Sequence, residues 1–144
     1  MKKILFVCTG NTCRSPMAEA ILKHKNLAAV EVRSAGVFAI DGDSASRHTK
    51  AVLAKNDIVI NHFSNYLTIE ILEWATLILT MTDGHKQTIL NKYPHFSSIT
   101  YTLKEFIGDQ HVDVIDPYGG SESNYHLTFI ELDELIEKLI QKLD

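Results

Sequence analysis

Cysteine, proline and long hydrophobic runs are all scarce in this sequence. Its 144 residues include only two cysteines, Cys8 and Cys13, which lie too close together to link distant parts of a disulfide-stabilised secreted fold. The apolar run at residues 4–7 meets polar residues far too early for a signal peptide or a membrane span. We therefore expect a reduced protein in the cytoplasm, with no membrane partner.

Positive charge is also in the minority. Fourteen Lys and Arg residues stand against 18 Asp and Glu residues, which gives a formal net charge of -4. A chain with this balance has no broad basic surface to attract nucleic acid or anionic lipid. We expect no nucleic-acid partner, and any recognition of phosphate has to be local.

Internal repeats, low-complexity tracts and linker-like stretches are missing as well. A chain of 144 residues that is 45% hydrophobic and 22% charged is large enough to bury one core. The prediction is a single domain over residues 1–144. We expect a monomer. No docking segment or partner helix stands out that would identify the protein substrates.

Short apolar segments alternate with longer segments of helical character. The short segments are rich in β-branched residues and predict buried strands at residues 4–7, 30–32, 77–81 and 99–103. Leucine and isoleucine recur at three- and four-residue spacing from Leu132 to Leu143, which predicts a helix packed on the core. Strands separated by helix-length segments predict an α/β fold, a three-layer sandwich in which helices flank a four-stranded parallel sheet.

The first predicted strand ends at Cys8, and the loop after it carries the residues of chemical interest. The loop reads CTGNTCRSP, and Ser15-Pro16 has the form of a helix start, with a capping hydroxyl before a proline. Parallel α/β folds bind ligands at the carboxyl ends of their strands, where this loop falls. Backbone N–H groups above a helix N-terminus form an anion cradle. We expect Gly10 to supply the backbone freedom that lets the loop wrap around the anion. The sequence therefore predicts a phosphate-binding loop.

Cys8 and Arg14 have defined uses in such a loop. The planar guanidinium of Arg14 can hold two phosphoryl oxygens and stays charged at any relevant pH. The positive field of the loop lowers the pKa of a thiol, so we expect Cys8 to be a thiolate and a nucleophile. The Ser15 hydroxyl is expected to donate a hydrogen bond to the Cys8 sulfur when that sulfur becomes the leaving group.

Two other kinds of site are excluded by the spacing. A zinc site would need two ligands beyond Cys8 and Cys13, and no Cys/His pair has zinc-finger spacing. A Walker-type nucleotide loop does not fit, because Gly10 is not followed by Gly-Lys-Ser or Gly-Lys-Thr. We expect no metal and no cofactor.

Four segments resemble the low-molecular-weight protein tyrosine phosphatase family. VCTGNTCRSPMAEA at residues 7–20 resembles the signature loop, VRSAG at 32–36 the second strand, ILTMT at 78–82 the third strand, and DPY at 116–118 the general-acid loop. The resemblance implies a two-step mechanism without metal, in which Cys8 attacks phosphorus while Arg14 and the loop amides stabilise the charge. Asp116 then protonates the leaving group and activates the water that hydrolyses the phosphocysteine.

The same resemblance implies supporting roles around the pocket. The implied phosphate-binding residues are Thr9, Gly10, Asn11, Thr12, Cys13 and Ser15. Asn11 and Ser34 match positions joined by a hydrogen-bond network that supports the loop, and His62 matches a further position of that network outside the catalytic set. Tyr118 and Tyr125 are expected to flank the entrance, where either ring can stack on a guanidinium or a phenol.

Thr12 bears on the choice of substrate. Tyrosine phosphatases of the family usually carry an aliphatic side chain there, whereas a Gram-positive subfamily that acts on phosphoarginine carries threonine. A small hydroxyl can hydrogen-bond a guanidinium edge and leaves room for a planar polar group. The resemblance therefore implies proteins phosphorylated on arginine as partners, in opposition to a protein arginine kinase during stress, with phosphotyrosine as the alternative substrate.

Two rival functions use the same loop. A thiol-dependent arsenate reductase would need more cysteines downstream, and none follows Cys13. A non-catalytic phosphate-binding or redox-sensing module is the other alternative, because Cys13 could trap an oxidised Cys8 as a disulfide. The presence of Cys8, Arg14 and Asp116 together favours an enzyme, with reversible oxidation as its regulation.

Overall fold

The computed structural model describes residues 1–143, in which strands and helices alternate along most of the chain. The elements are β1 (Lys2–Cys8), α1 (Arg14–His24), β2 (Val30–Gly36), α2 (Arg47–Lys55), α3 (Ile69–Trp74), β3 (Leu77–Thr80), α4 (Asp83–Lys92), a 3₁₀ helix (Pro94–Ile99), β4 (Thr100–Thr102), α5 (Leu103–Phe106) and α6 (Glu122–Leu143). All four strands predicted from the apolar runs are present, with ends that differ by a few residues.

The four strands form one parallel sheet in the order β2-β1-β3-β4. β1 is central, so that Leu5 pairs with Arg33 of β2 on one side and with Ile78 of β3 on the other. The chain leaves β1 toward β2 and later returns to the opposite side of β1, so strand order reverses at the end of β1. The predicted parallel sheet is confirmed, and the loop after Cys8 lies at this switch point.

Alternate side chains of β1 enter two separate cores, because successive side chains of a strand point to opposite faces. Ile4 and Phe6 pack with side chains from α1, α2 and α6 on one face. Leu5 and Val7 pack with side chains from α3 and α4 on the other face. β1 is thus buried on both sides and gives the loop at its end a rigid base.

The predicted cap of the first helix is wrong, and the last helix extends beyond the apolar stripe that predicted it. The first helix begins at Arg14, and its N-cap residue Cys13 makes no side-chain cap. Ser15 does not cap the helix, because its hydroxyl is hydrogen-bonded to the Cys8 sulfur and to Asn11 Nδ2. The last helix, α6, begins at Glu122, well before the predicted leucine stripe. Within the described part of the chain, no helix combines the length and the apolarity needed to cross a membrane.

Candidate active site

The loop between β1 and α1 reverses direction at Asn11. The φ angle of Asn11 is 56°, in the left-handed region that asparagine tolerates better than most residues. Gly10 has no positive φ, so the prediction that Gly10 supplies the freedom for the wrap is wrong. The loop therefore depends on the side chain of Asn11 to hold an unfavourable backbone conformation.

Asn11 is fully buried and is hydrogen-bonded to Ser15 nearby in the sequence and to two distant parts of the chain. Its Nδ2 donates to Ser15 Oγ at 2.8 Å and to Ser34 Oγ at 2.9 Å. Its Oδ1 accepts a hydrogen bond from the Asn65 backbone N–H at 2.8 Å, and its carbonyl oxygen accepts one from His62 Nε2 at 2.8 Å. The structure thus joins Asn11 to Ser34 and brings His62 into the same network.

Gly36, the last residue of β2, is a site residue that the sequence did not single out. A Cβ at this position would lie 2.5 Å from the Thr9 carbonyl oxygen and 2.9 Å from the Asn11 backbone nitrogen. The next residue, Val37, donates its backbone N–H to the Cys8 carbonyl oxygen at 3.0 Å. Glycine is therefore required for the loop to pack this closely against β2.

The Cys8 sulfur is buried and lies 2.8 Å from Ser15 Oγ. Because Ser15 Oγ accepts a hydrogen bond from Asn11, the Ser15 hydrogen is available for the sulfur. Burial raises the pKa of Cys8, whereas hydrogen bonds from Ser15, the charge of Arg14 and the Asn11 backbone N–H lower it. The predicted lowering of the Cys8 pKa is not found, because desolvation of the sulfur outweighs the groups that favour the thiolate.

Arg14 connects the loop to the segment that carries Asp116. Arg14 Nη1 donates to the Val114 carbonyl oxygen at 2.9 Å, and Arg14 Nη2 lies 3.5 Å from Asp116 Oδ2. The other carboxylate oxygen of Asp116 accepts a hydrogen bond from the Tyr118 backbone N–H at 3.0 Å. The Arg14 side chain is 4% exposed and that of Asp116 is 49% exposed. The carboxylate therefore lies where a buried guanidinium meets solvent.

A pocket of about 190 Å³ brings most of the predicted site residues together. It is lined by Cys8, Thr9, Gly10, Thr12, Cys13, Arg14, Asp116 and Tyr118. Tyr118 is 79% exposed at its rim. A larger groove of about 530 Å³ runs beside α1, but it is lined by no residue of the loop at 8–15. The small pocket is therefore the candidate active site.

Tyr125 does not lie at the pocket entrance, so that prediction is wrong. Its side chain is only 3% exposed, because α6 places it behind the loop. Its hydroxyl lies 3.4 Å from the Cys13 sulfur. Burial, together with the contact to Cys13, raises the pKa of Tyr125 to about 12. Both cysteines are free thiols.

His85 on α4 is a second site residue that the sequence did not single out. Its Nε2 lies 2.9 Å from Thr9 Oγ1, and its Nδ1 accepts a hydrogen bond from the Thr82 backbone N–H at 3.2 Å. Thr82 is the N-cap of α4, and its hydroxyl accepts from the His85 backbone N–H. Burial, and then the charge of Arg14, lowers the pKa of His85 to about 4. No local motif indicates this contact, because it joins residues 76 positions apart.

The pocket has the donors that a tetrahedral oxyanion requires. The N-terminus of α1 and the Arg14 guanidinium supply positive potential at its base, and Cys8 supplies a nucleophile. Among residues 1–143, no group of three or more His, Cys, Asp or Glu side chains is placed to hold a metal ion. Transfer of a phosphoryl group to Cys8, with Asp116 as the acid, is chemistry that this arrangement permits.

Fold and site together are those of a cysteine-dependent phosphatase. The chain belongs to the low molecular weight phosphotyrosine protein phosphatase family, whose model matches residues 3–144. A protein-arginine-phosphatase of Geobacillus stearothermophilus is 49% identical over 141 residues, which cover 98% of this chain and 95% of the relative. The protein-arginine-phosphatase of Bacillus subtilis is 46% identical over 143 residues, which cover 97% of this chain and 95% of that relative. The low molecular weight protein-tyrosine-phosphatase PtpB of Staphylococcus haemolyticus is 43% identical over 137 residues, covering 95% and 96%.

Solved structures agree with this assignment. The YwlE arginine phosphatase from Geobacillus stearothermophilus matches with a TM-score of 0.97 at 48% identity, covering 99% of this chain and 93% of the other. A cysteine-to-serine variant of YwlE arginine phosphatase, with a phosphorylated active-site serine, matches with a TM-score of 0.94 at 46% identity, covering 98% and 95%. The predicted family and fold are confirmed.

Proposed function

We propose that the protein hydrolyses phosphoarginine in other proteins through a phosphocysteine intermediate on Cys8. The observation that carries this proposal is the pocket in which Cys8, Arg14 and Asp116 meet beside the hydroxyl of Thr12. The relatives named protein-arginine-phosphatase, at 46% and 49% identity over nearly the whole chain, support the same substrate class.

In the first step the Cys8 thiolate attacks phosphorus, and the bond between phosphorus and the guanidinium nitrogen breaks. Arg14 and the loop amides hold the phosphoryl oxygens, on which negative charge spreads in the transition state. Because burial raises the pKa of Cys8, the thiol first has to pass its proton to a phosphoryl oxygen of the bound substrate. The Ser15 hydroxyl, 2.8 Å from the sulfur, favours the thiolate that results.

Asp116 serves both steps as a proton carrier. In its protonated form it donates to the departing guanidinium nitrogen, and its half-exposed position lets the hydrolytic water reach it afterwards. In the second step Asp116 takes a proton from that water, the water oxygen bonds to phosphorus, and the bond from phosphorus to the Cys8 sulfur breaks. The Ser15 hydrogen bond stabilises the thiolate as it leaves.

Thr12 supplies the polar wall that the substrate class requires. Its Oγ1 lies 3.8 Å from the Cys13 sulfur, a weak contact that leaves the hydroxyl available to a ligand. A guanidinium edge can donate to this hydroxyl, whereas a phenol ring gains nothing from it. Phosphotyrosine is the second candidate substrate. It is favoured by the exposed ring of Tyr118 at the rim, which can pack on a phenol.

The test compares kcat/KM for a phosphoarginine peptide and a matched phosphotyrosine peptide at neutral pH. We expect the wild type to prefer phosphoarginine by at least about tenfold, the value of one well-placed polar contact. Cys8→Ser is expected to abolish turnover of both peptides while inorganic phosphate still binds. A wild-type preference for phosphotyrosine would reverse the assigned substrate, and turnover by Cys8→Ser would rule out the cysteine mechanism.

We further propose that the enzyme acts as a single-domain monomer on proteins of the cytoplasm. The two free thiols, Cys8 and Cys13, support a reducing compartment. The acidic net charge of -4 supports the absence of nucleic-acid and membrane partners. Light scattering across a range of protein concentrations should give the mass of one chain throughout, and a mass of two chains would contradict the monomer.

A further inference from the structure

The ring of His85 has a defined proton arrangement. Its Nδ1 faces the Thr82 backbone N–H at 3.2 Å, and a backbone N–H can only donate. Nδ1 is therefore the acceptor, and the proton of the neutral ring sits on Nε2. The Nε2–H group then donates to Thr9 Oγ1 at 2.9 Å. The cap of α4 thus sets the direction of the hydrogen bond that reaches the phosphate loop.

This arrangement is rigid and holds through the neutral pH range. His85 is 6% exposed, and both of its ring nitrogens have partners. It occupies the third position of α4, where it completes a reciprocal capping box with Thr82. Burial keeps the pKa of His85 near 4, so the ring stays neutral.

The bond from His85 decides what the Thr9 hydroxyl can offer to a ligand. A hydroxyl has one hydrogen and two lone pairs, and one lone pair of Thr9 is taken by His85. One hydrogen and one lone pair remain on a side chain that lines the pocket with Cys8 and Thr12. A phosphorylated guanidinium presents phosphoryl oxygens beside N–H donors, so it can use both. A phenyl phosphate presents acceptors only.

We propose that His85 is a positioning residue which, through Thr9, favours substrates whose phosphoryl group is bonded to a guanidinium nitrogen. This inference rests on the proposed phosphoarginine phosphatase function. It adds Thr9 to Thr12 as a second polar side chain that determines substrate specificity. His85 itself does not line the pocket, and it acts by fixing the rotamer and the hydrogen-bond direction of Thr9.

The test measures kcat/KM for phosphoarginine and phosphotyrosine peptides with four variants: His85→Leu, His85→Gln, Thr9→Val and the double variant His85→Leu/Thr9→Val. His85→Leu and Thr9→Val are each expected to lower the phosphoarginine value about tenfold, the effect of one hydrogen bond, and the phosphotyrosine value less. His85→Gln should retain most of the wild-type preference, because glutamine can cap α4 through its oxygen and donate through its nitrogen. The double variant should be no worse than Thr9→Val alone.

Thr82→Ala is the control for a merely structural role of His85. It removes the hydroxyl half of the same capping box and leaves the contact between His85 and Thr9 in place. It should lower the melting temperature without changing the ratio of the two kcat/KM values. If His85→Leu does not fold, an unchanged ratio in Thr9→Val still overturns the inference, because this variant leaves α4 intact.

An unchanged ratio in His85→Leu or in Thr9→Val would overturn this inference. Multiplicative losses in the double variant would overturn it too, since they would show that His85 does not act through Thr9. The wild-type ratio tests the proposed function separately. If the wild type and the variants prefer phosphoarginine equally, only the role of His85 is contradicted.

Discussion

Ser15 Oγ lies 2.8 Å from the Cys8 sulfur and accepts a hydrogen bond from Asn11 at the same time. Asn11 also donates to Ser34, whose hydroxyl in turn donates to the Glu19 carboxylate. In this series of hydrogen bonds each donor is directed at a defined acceptor, so the Ser15 hydroxyl hydrogen is left to point at the Cys8 sulfur. A network that supports the loop thus also acts on the nucleophile.

Ser15→Ala should make Cys8 less reactive. The Ser15 hydrogen bond lowers the pKa of Cys8 against the effect of burial, so its loss leaves less thiolate at neutral pH. Alkylation of Cys8 by iodoacetamide, followed by mass spectrometry in a Cys13→Ser background, should slow about tenfold, as for a lost hydrogen bond to a charged group. Ser97→Ala, at an exposed serine, is the matched control. Equal rates in Ser15→Ala and in the control would show that Ser15 does not tune the thiol.

Asp116→Asn should slow turnover according to the leaving group. General acid catalysis contributes about a hundredfold to ten-thousandfold, so kcat on a phosphoarginine peptide should fall within that range. The phenolate that leaves from an aryl phosphate of an acidic phenol needs less protonation, so kcat on that substrate should fall less. Asp133→Asn on α6, where Asp133 pairs with Lys25, controls for the loss of a carboxylate elsewhere. An equal loss of kcat on both substrates would contradict the role of Asp116 as the acid.

Thr12→Ile should shift the substrate preference toward phosphotyrosine. The branched side chain removes the hydroxyl, fills space that a guanidinium needs and offers an apolar surface to a phenol. The ratio of kcat/KM for phosphoarginine over phosphotyrosine should fall at least about tenfold. Thr12→Ser, which keeps the hydroxyl, should stay near the wild type. If Thr12→Ile and Thr12→Ser give the same ratio, Thr12 has no part in specificity.

The sheet was predictable because its signals are local. Buried parallel strands appear in the sequence as short apolar runs, and all four were found near their predicted positions. The apolar run of β2 ends at Val32, but the strand continues to Gly36. Its polar residues have partners that only the fold supplies, since Arg33 stacks 4.5 Å from the Trp74 ring and Ser34 bonds to Asn11.

The site was predictable only where its residues are close in sequence. Cys8 and Arg14 belong to one loop whose form indicates an anion cradle, whereas Asp116 required a resemblance to a known family. Gly36 and His85 act on the loop across long sequence separations, and no periodicity or motif could indicate them. The Cys8 pKa was predicted in the wrong direction, because burial of the sulfur depends on tertiary packing.

Gly36→Ala should destabilise the loop, whereas Gly10→Ala should not. An added Cβ at Gly36 meets backbone atoms at 2.5 Å and 2.9 Å, and at Gly10 its nearest contact is Thr12 Oγ1 at 3.7 Å. Overpacking against backbone typically costs about 1 to 3 kcal/mol, so urea unfolding should show a loss of this size for Gly36→Ala. Gly10→Ala is the matched control within the same site. Equal stabilities would mean that β2 can move away from the loop.

Acid should reduce the stability that His85 contributes. Its pKa is about 4 in the folded protein against an ordinary value of 6.5, so between these values the unfolded chain binds more protons than the folded one. The free energy of unfolding must then fall as the pH is lowered through that window, and the contribution of neutral His85 is complete only above 6.5. Other groups also contribute to the pH dependence of stability, so the informative quantity is the difference from His85→Gln, which has no ionisable group at this position. Urea unfolding of both proteins across the window should show the wild type losing stability relative to the variant as the pH falls. A constant difference would mean that His85 titrates alike in both states, and the neutral Nε2–H donor to Thr9 would lose its support.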